Sequence, residues 1–464
     1  MPIPNHSPWI KQLKRVRGVS PINRSQDSDV AIVGGGIAGV VTAYFILRNT
    51  DKKVVLLEAD KIAHGATGHN AGQITSYFER PLTELVEEFG FDLALDGQRS
   101  VESGWLLIDQ IMAEAKLQTP LYRFTGYASL STLDQVILQL KCNRFRVQGG
   151  LPAEQLIVSE EWSEHTEIPE EFKDLYELAS HKDVLNLIES NNPVYIASLS
   201  YQKGCMNSAM FSEELAGYLG ATYKDRFSFY EGSPVKTVQL KEGGGSLLVL
   251  GYTVNARNIV LCTNGFQNFK ILNTTGREID TKFHHSIAGR IGYMSGYVEP
   301  MKHPPIAISY LPKDYGESID PTGEEYFYLT RRPHEHEGDT SFNLTCTGGP
   351  EKVLPNHALY SREEASSEDM RILIDNFLRD NYNKYPETDF EYAFSWHGLM
   401  GYTPNGIRRV GPEPCNTALL YNLGCNGVGI LPSIFGGMRI SRFIKGEKVE
   451  QSIFDPHDQR CEIE

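Results

Sequence analysis

A chain of 464 residues is longer than one hydrophobic core usually holds, so two lobes are expected. Its 41% apolar and 22% charged residues are ordinary for a globular protein, and no apolar run is long enough to span a bilayer. The formal charge of -15 argues against a nucleic-acid partner, because phosphate binding needs clustered Lys and Arg.

Residues 1–28 carry Lys11, Lys14, Arg15 and Arg17 without a following apolar core, so they are not a secretory signal. They read as an exposed arm that packs on the body. Asp29-Val30-Ala31-Ile32-Val33 is a β-branched apolar run of the kind that forms a buried parallel strand. Gly34-Gly35-Gly36-Ile37-Ala38-Gly39 continues it as G-x-G-x-x-G, and Val40 to Arg48 then lacks Gly and Pro and reads as a helix. Gly34 permits the tight turn, Gly36 lets backbone approach a pyrophosphate, and Gly39 lets helix and strand pack closely. Val54-Val55-Leu56-Leu57 forms a second strand, and Glu58 at its end is placed to accept hydrogen bonds from a ribose diol. Strand, glycines, helix, strand and terminal acid together mark a dinucleotide site.

Ala59-Asp60 leads into Gly65-Ala66-Thr67-Gly68-His69-Asn70-Ala71-Gly72-Gln73, a small-residue segment too rich in glycine for a plain connection. This stretch resembles the flavin-cradling segment of the D-amino acid oxidase, glycine oxidase and sarcosine oxidase family, most of all the gamma-glutamylputrescine oxidase type. The resemblance implies FAD rather than NAD. It also implies a Rossmann-like α/β FAD-binding domain of the glutathione-reductase type with a second, mainly antiparallel-sheet substrate domain, α+β overall.

From Arg80 to about Ala115 the pattern is helical, with Gly90, Gly97 and Gly104 as candidate breaks. Tyr122–Leu130 alternates as a strand, Leu133–Leu140 is helical, and the acidic stretch 149–192 reads as a lid or inserted subdomain. Pro193–Ala197 begins a return to the first lobe, followed by the helix Ser208–Leu219 and strands to Gly265. By the resemblance, Val235 would meet the adenine, and Thr263-Asn264-Gly265 would close under the pyrophosphate. Residues 283–394 read as the second lobe, with strands at Arg290–Tyr297, Tyr326–Arg331 and Ser341–Cys346 and a helix over Ser367–Tyr382 capped by Ser367. His334-Glu335-His336-Glu337 reads as a solvated hairpin tip rather than a metal site. Trp396–Gly406, with Gly401, and Asn422–Ile430, with Gly427, Val428, Gly429 and Ile430, resemble the family's two C-terminal flavin segments. The FAD domain is therefore expected from 29–115, 193–275 and 395–450, the substrate domain from 116–192 and 276–394, and a tail over 451–464.

No second G-x-G-x-x-G is present, so electrons would come from a substrate bound at the flavin itself. The resemblance implies hydride transfer from a carbon bearing an amine to flavin N5, giving an imine that hydrolyses. A flavin subunit passing electrons to a partner and a flavin-binding module without this activity stay open as alternatives. Tyr326, Tyr328, Arg331 and His397 are the candidate catalytic residues, with the two tyrosines on one strand face by alternation. Sarcosine oxidases carry a lysine on the strand matching Asn343–Thr347 and another matching Leu431; neither is present, which speaks against a small α-amino acid and for a larger or cationic amine. In dimethylglycine and sarcosine dehydrogenases a histidine matching His69 is bonded to the flavin 8α-methyl carbon. Here His69 either makes that bond or hydrogen-bonds the cofactor. The seven cysteines are scattered and without C-x-x-C, so no disulfide framework or zinc site is indicated, and the cytoplasm is the expected compartment.

Overall fold

Val30–Val33 and Val54–Leu57 are buried without polar alternation, as parallel strands covered on both faces must be. They pair in parallel, Val30 beside Val54 and Val33 beside Leu57, and the helix Ile37–Asn49 connects them. A computed structural model describes residues 4–15, 17–313, 326–354, 360–386, 390–457 and 461, and shows what is built around this unit. Tyr252–Leu261 and Phe227–Tyr230 flank the two strands in parallel, and Asn416–Leu423 pairs in parallel with Ile259–Leu261. An antiparallel extension through Val235–Lys241 and Gly244–Val249, together with Lys270–Asn273 and Arg409–Glu413, brings this sheet to nine strands among the described residues.

Among the described residues the second sheet has ten strands. Its spine runs Phe394–Tyr402, Ala288–Pro300, Asp339–Leu354, Phe327–His336, Ile306–Tyr310, Leu121–Leu130, Ala197–Met206. Most neighbours are antiparallel, and the two-residue strand Gln73–Ile74 pairs with the C-terminal end of Ala197–Met206 directly from the small-residue segment. The C-terminal helix Ile430–Lys445 lies on the helix Ile37–Asn49: a Cβ on Gly437 would stand 2.9 Å from Thr42 N. Among the described residues no helix is long and apolar enough to cross a membrane.

Several expectations are corrected. Trp9 is fully buried and the short helix Pro8–Lys11 packs its first turn into the body, so the start of the N-terminal arm is not exposed, whereas residues 18–21 and 23–25 are. Gly90, at φ +81°, divides Leu82–Phe89 from Phe91–Ala115, whereas Gly97 and Gly104 lie inside the second helix, where Ile453 and Leu431 pack against them. The helix expected over Leu133–Leu140 runs to Gln148, and Arg146 in its last turn pairs with Glu102 at 2.9 Å. Residues 149–192 supply Gln155–Ser159 and Glu177–Ala179, which extend the second sheet at its edge instead of forming a lid. Ala197–Met206 and Phe394–Tyr402 also belong to the second sheet, so the chain crosses between sheets later than positions 193 and 395. His334 is a buried strand residue against Gln12, with the turn at Glu337-Gly338 beyond it. Cys415 and Cys461 form a disulfide with Cα atoms 5.3 Å apart, a pairing that scattered spacing does not disclose.

Candidate active site

One cleft of about 420 Å³ runs from the strand-to-helix turn of the first sheet to the face of the second. All the expected cofactor residues line it except Gly39, Gly72, Gly265 and Gly401. Those four are packing positions just behind its wall. A Cβ on Gly39 would come within 1.8 Å of Gly34 O, one on Gly72 within 2.8 Å of the Trp9 ring, one on Gly265 within 2.6 Å of Met400 O, and one on Gly401 within 2.8 Å of Gly265 N.

The turn is built as a phosphate cradle. Gly34 has φ +106° and a Cβ there would meet Cys262 O at 2.6 Å, so only glycine closes this turn. A Cβ on Gly36 would stand 2.9 Å from Thr67 Oγ1, which accepts the Ile37 N–H at 2.9 Å and ties the helix start to the small-residue segment. Glu58 accepts the Gly35 N–H at 2.6 Å and the Asp60 N–H at 2.9 Å, and burial raises its carboxyl above the usual range. Thr263 Oγ1 and Asn264 Nδ2 are buried at the cleft and have no hydrogen-bond partner among the described residues. Arg408 also reaches the cleft. It donates to Asn422 Oδ1 at 2.8 Å and Asn422 O at 2.9 Å, and no carboxylate among the described residues pairs with it. Unsatisfied donors, an unpaired buried cation and an acceptor carboxylate at the strand end form a set that fits a dinucleotide diphosphate and ribose.

The His69 segment is held from three sides. Trp9 Nε1 donates to Asn70 O at 2.6 Å, Ser7 Oγ to Gly68 O at 2.5 Å, and Asn70 Nδ2 to Ser208 Oγ at 2.8 Å. His69 Nδ1 lies 3.0 Å from Gly65 O, which makes Nδ1 the protonated nitrogen and leaves the lone pair on Nε2. Burial lowers the imidazole to about 4, so it is neutral at pH 7.

At its far end the cleft is lined by Tyr77, Glu79, Tyr326, Tyr328, Glu351 and Tyr402. Tyr326 and Tyr328 share a face with ring centroids 5.5 Å apart. Arg331 lies elsewhere. It is fully buried on the opposite strand face, donates to both Glu189 oxygens at 2.7 and 2.8 Å, and is not a cleft residue. His397 is corrected for the same reason of strand alternation: Gly398, Met400 and Tyr402 face the cleft, while the His397 ring turns to Glu364 O at 3.1 Å. Leu431 points away into the Gly104 helix, and its neighbour Ile430 lines the cleft. Glu79, Glu351 and Arg408 carried no motif; the alternation rule would have rejected Arg331 once Tyr326 and Tyr328 were placed.

A sequence model described as "DAO: FAD dependent oxidoreductase" matches residues 29–442. The chain belongs to this family of FAD-dependent oxidoreductases. It is 20% identical over 441 residues, 94% of this chain and 87% of the relative, to the probable oxidoreductase OrdL of Haemophilus influenzae. It is also 34% identical over 91 residues to the gamma-glutamylputrescine oxidoreductase of Escherichia coli, a match spanning 19% of this chain and 21% of that relative's length. The glycine oxidase of Geobacillus kaustophilus superposes with a TM-score of 0.63 at 15% identity, covering 93% of this chain and 98% of that one. At that identity the likeness speaks for the fold.

Proposed function

We propose that this FAD-dependent oxidoreductase oxidises the C–N bond of an amine. The observation that carries the reading is the continuous cleft joining the dinucleotide turn to a tyrosine-walled end, with no second dinucleotide motif in the chain. Bound FAD would accept the hydride from the carbon bearing the amine, and water would hydrolyse the resulting imine. Within that scheme Gly34, Gly36 and Arg408 face the diphosphate, Glu58 the ribose, and the His69 segment the flavin ring. Tyr326 and Tyr328 position the substrate and exclude water from the far end. His69, neutral and with Nε2 unprotonated, meets the requirement for attachment to the flavin. Anaerobic titration of the yellow protein with a panel of amines tests the reading. Bleaching of the flavin band is the expected result; a protein that takes up FAD and is bleached by no amine would refute it.

A further inference from the structure

The two carboxylates at the tyrosine-walled end are not equivalent. Glu351 accepts from Tyr402 Oη at 3.2 Å and has Arg290 Nη1 at 3.6 Å. Among the described residues no hydrogen bond or ion pair reaches Glu79. Its Oε1 lies 2.8 Å from where a Cβ on Gly427 would stand, which sets the carboxylate against the Gly427–Gly429 loop, at the junction of the cofactor segment and the far end. Among the described residues no cation at this end is free to receive a substrate carboxylate. Arg331 is held by Glu189, Lys203 donates to Ser309 Oγ at 2.9 Å behind Tyr77 and Tyr201, and Arg290 stacks on Tyr402. The basic residues that line the cleft, Lys236, Arg362 and Arg408, belong to its cofactor side.

We propose that Glu79 receives the substrate's ammonium group beside these tyrosines, and that the substrate class is an alkylamine without an α-carboxylate rather than an α-amino acid. This rests on the amine-oxidising reading above. Four tyrosine side chains and a desolvated carboxylate line this end, and aromatic rings beside a carboxylate are elements that bind an ammonium. The substrate nitrogen must give up a proton before its carbon can lose a hydride. That proton passes to a Glu79 oxygen, leaving a neutral amine with its lone pair free and a neutral carboxylic acid. Burial and the nearby Glu351 push the Glu79 carboxyl up to about 7, with Lys203 opposing, so the group exchanges protons near neutrality. Lys203, on the strand Ala197–Met206, is itself drawn down to about 7 by burial. Tyr77, Tyr326, Tyr328 and Tyr402 also face this end, and burial raises all four, so they keep their protons.

The test is anaerobic stopped-flow reduction of the holoenzyme and of Glu79→Gln and Glu79→Asp by 1,4-diaminobutane, n-butylamine, alanine and proline, between about pH 6 and 9. The better of the two alkylamines should reduce the wild type at least about tenfold more efficiently than either amino acid. Glu79→Gln should slow reduction by that alkylamine by about a hundredfold and remove the limb of the pH profile near neutrality, with FAD content and flavin absorbance unchanged. Glu79→Asp, which keeps the charge, should recover part of the rate and the limb, and it carries the same test should Glu79→Gln lose FAD. Faster reduction by an amino acid, or an unaltered pH profile in the variants, would overturn the proposal and leave amine oxidation standing. Reduction by none of the four would remove the underlying reading as well.

Discussion

Trp9 donates its indole N–H to the Asn70 carbonyl at 2.6 Å, so the N-terminal arm is a structural part of the segment that carries His69. The Trp9 ring also fills the space that a side chain at Gly72 would need. Trp9→Ala should cost about 3–5 kcal/mol of stability by leaving a cavity, and Trp9→Phe about 1 kcal/mol through the lost hydrogen bond. Both should loosen FAD, as read by thermal melts and by flavin fluorescence released on dilution. Unchanged FAD retention in Trp9→Ala would show that the arm only covers the segment.

Arg408 is buried at the cleft with no acidic partner among the described residues. Its charge is therefore available to the diphosphate. Arg408→Gln should weaken FAD binding by about tenfold or more. Equilibrium titration of the apoprotein checks this, and equal affinities for wild type and variant would remove Arg408 from the cofactor site.

His69 supplies an unprotonated Nε2 at neutral pH, since Nδ1 donates to Gly65 O and burial holds the ring near 4. The expected outcome of acid precipitation is a yellow pellet, with the flavin mass on the peptide that contains His69. His69→Ala should release all colour to the supernatant. Colour leaving with the supernatant in the wild type would reduce His69 to a neighbour of the cofactor.

Arg331 is fully buried and pairs with Glu189, whose side chain is 12% exposed, so removal of Arg331 leaves a largely buried charge without its partner. Arg331→Ala should lose about 3–5 kcal/mol of stability, yet keep the wild-type pH dependence of flavin reduction in the protein that remains folded. A shifted pH profile with normal stability would return Arg331 to the active site.

Glu79 has a carboxyl raised from 4.5 to about 7 in the folded protein, so folding takes up a proton between those values. Its contribution to stability is fully present below the lower value and lost as pH rises through the upper one. The stability advantage of apo Glu79→Gln over apo wild type should therefore grow with pH, by up to about 3 kcal/mol from acid to mildly alkaline solution. Urea unfolding at several pH values measures it; a pH-independent difference would mean that Glu79 is solvated in the apoprotein.

The dinucleotide unit was legible in the sequence because its determinants are local. Gly34 needs a positive φ, Gly36 and Gly39 need close backbone approach, and Glu58 ends the strand that follows. Each is a demand that neighbouring residues express within one strand, turn and helix. The alternation that puts Tyr326 and Tyr328 on one face is local in the same sense, as is the Ser367 cap, whose side chain accepts the Met370 N–H. What tertiary structure decided are meetings between distant segments. Trp9 under Asn70, Glu79 opposite Glu351, Arg331 on Glu189 and Cys415 with Cys461 each depend on how the two sheets and their edges come together. His397 and Leu431 show the same limit, since their segments line the cleft while their side chains turn away from it. A segment's conformation follows from short-range sterics and hydrogen bonding, but the face it offers to a cleft is set by the burial of every element packed against it.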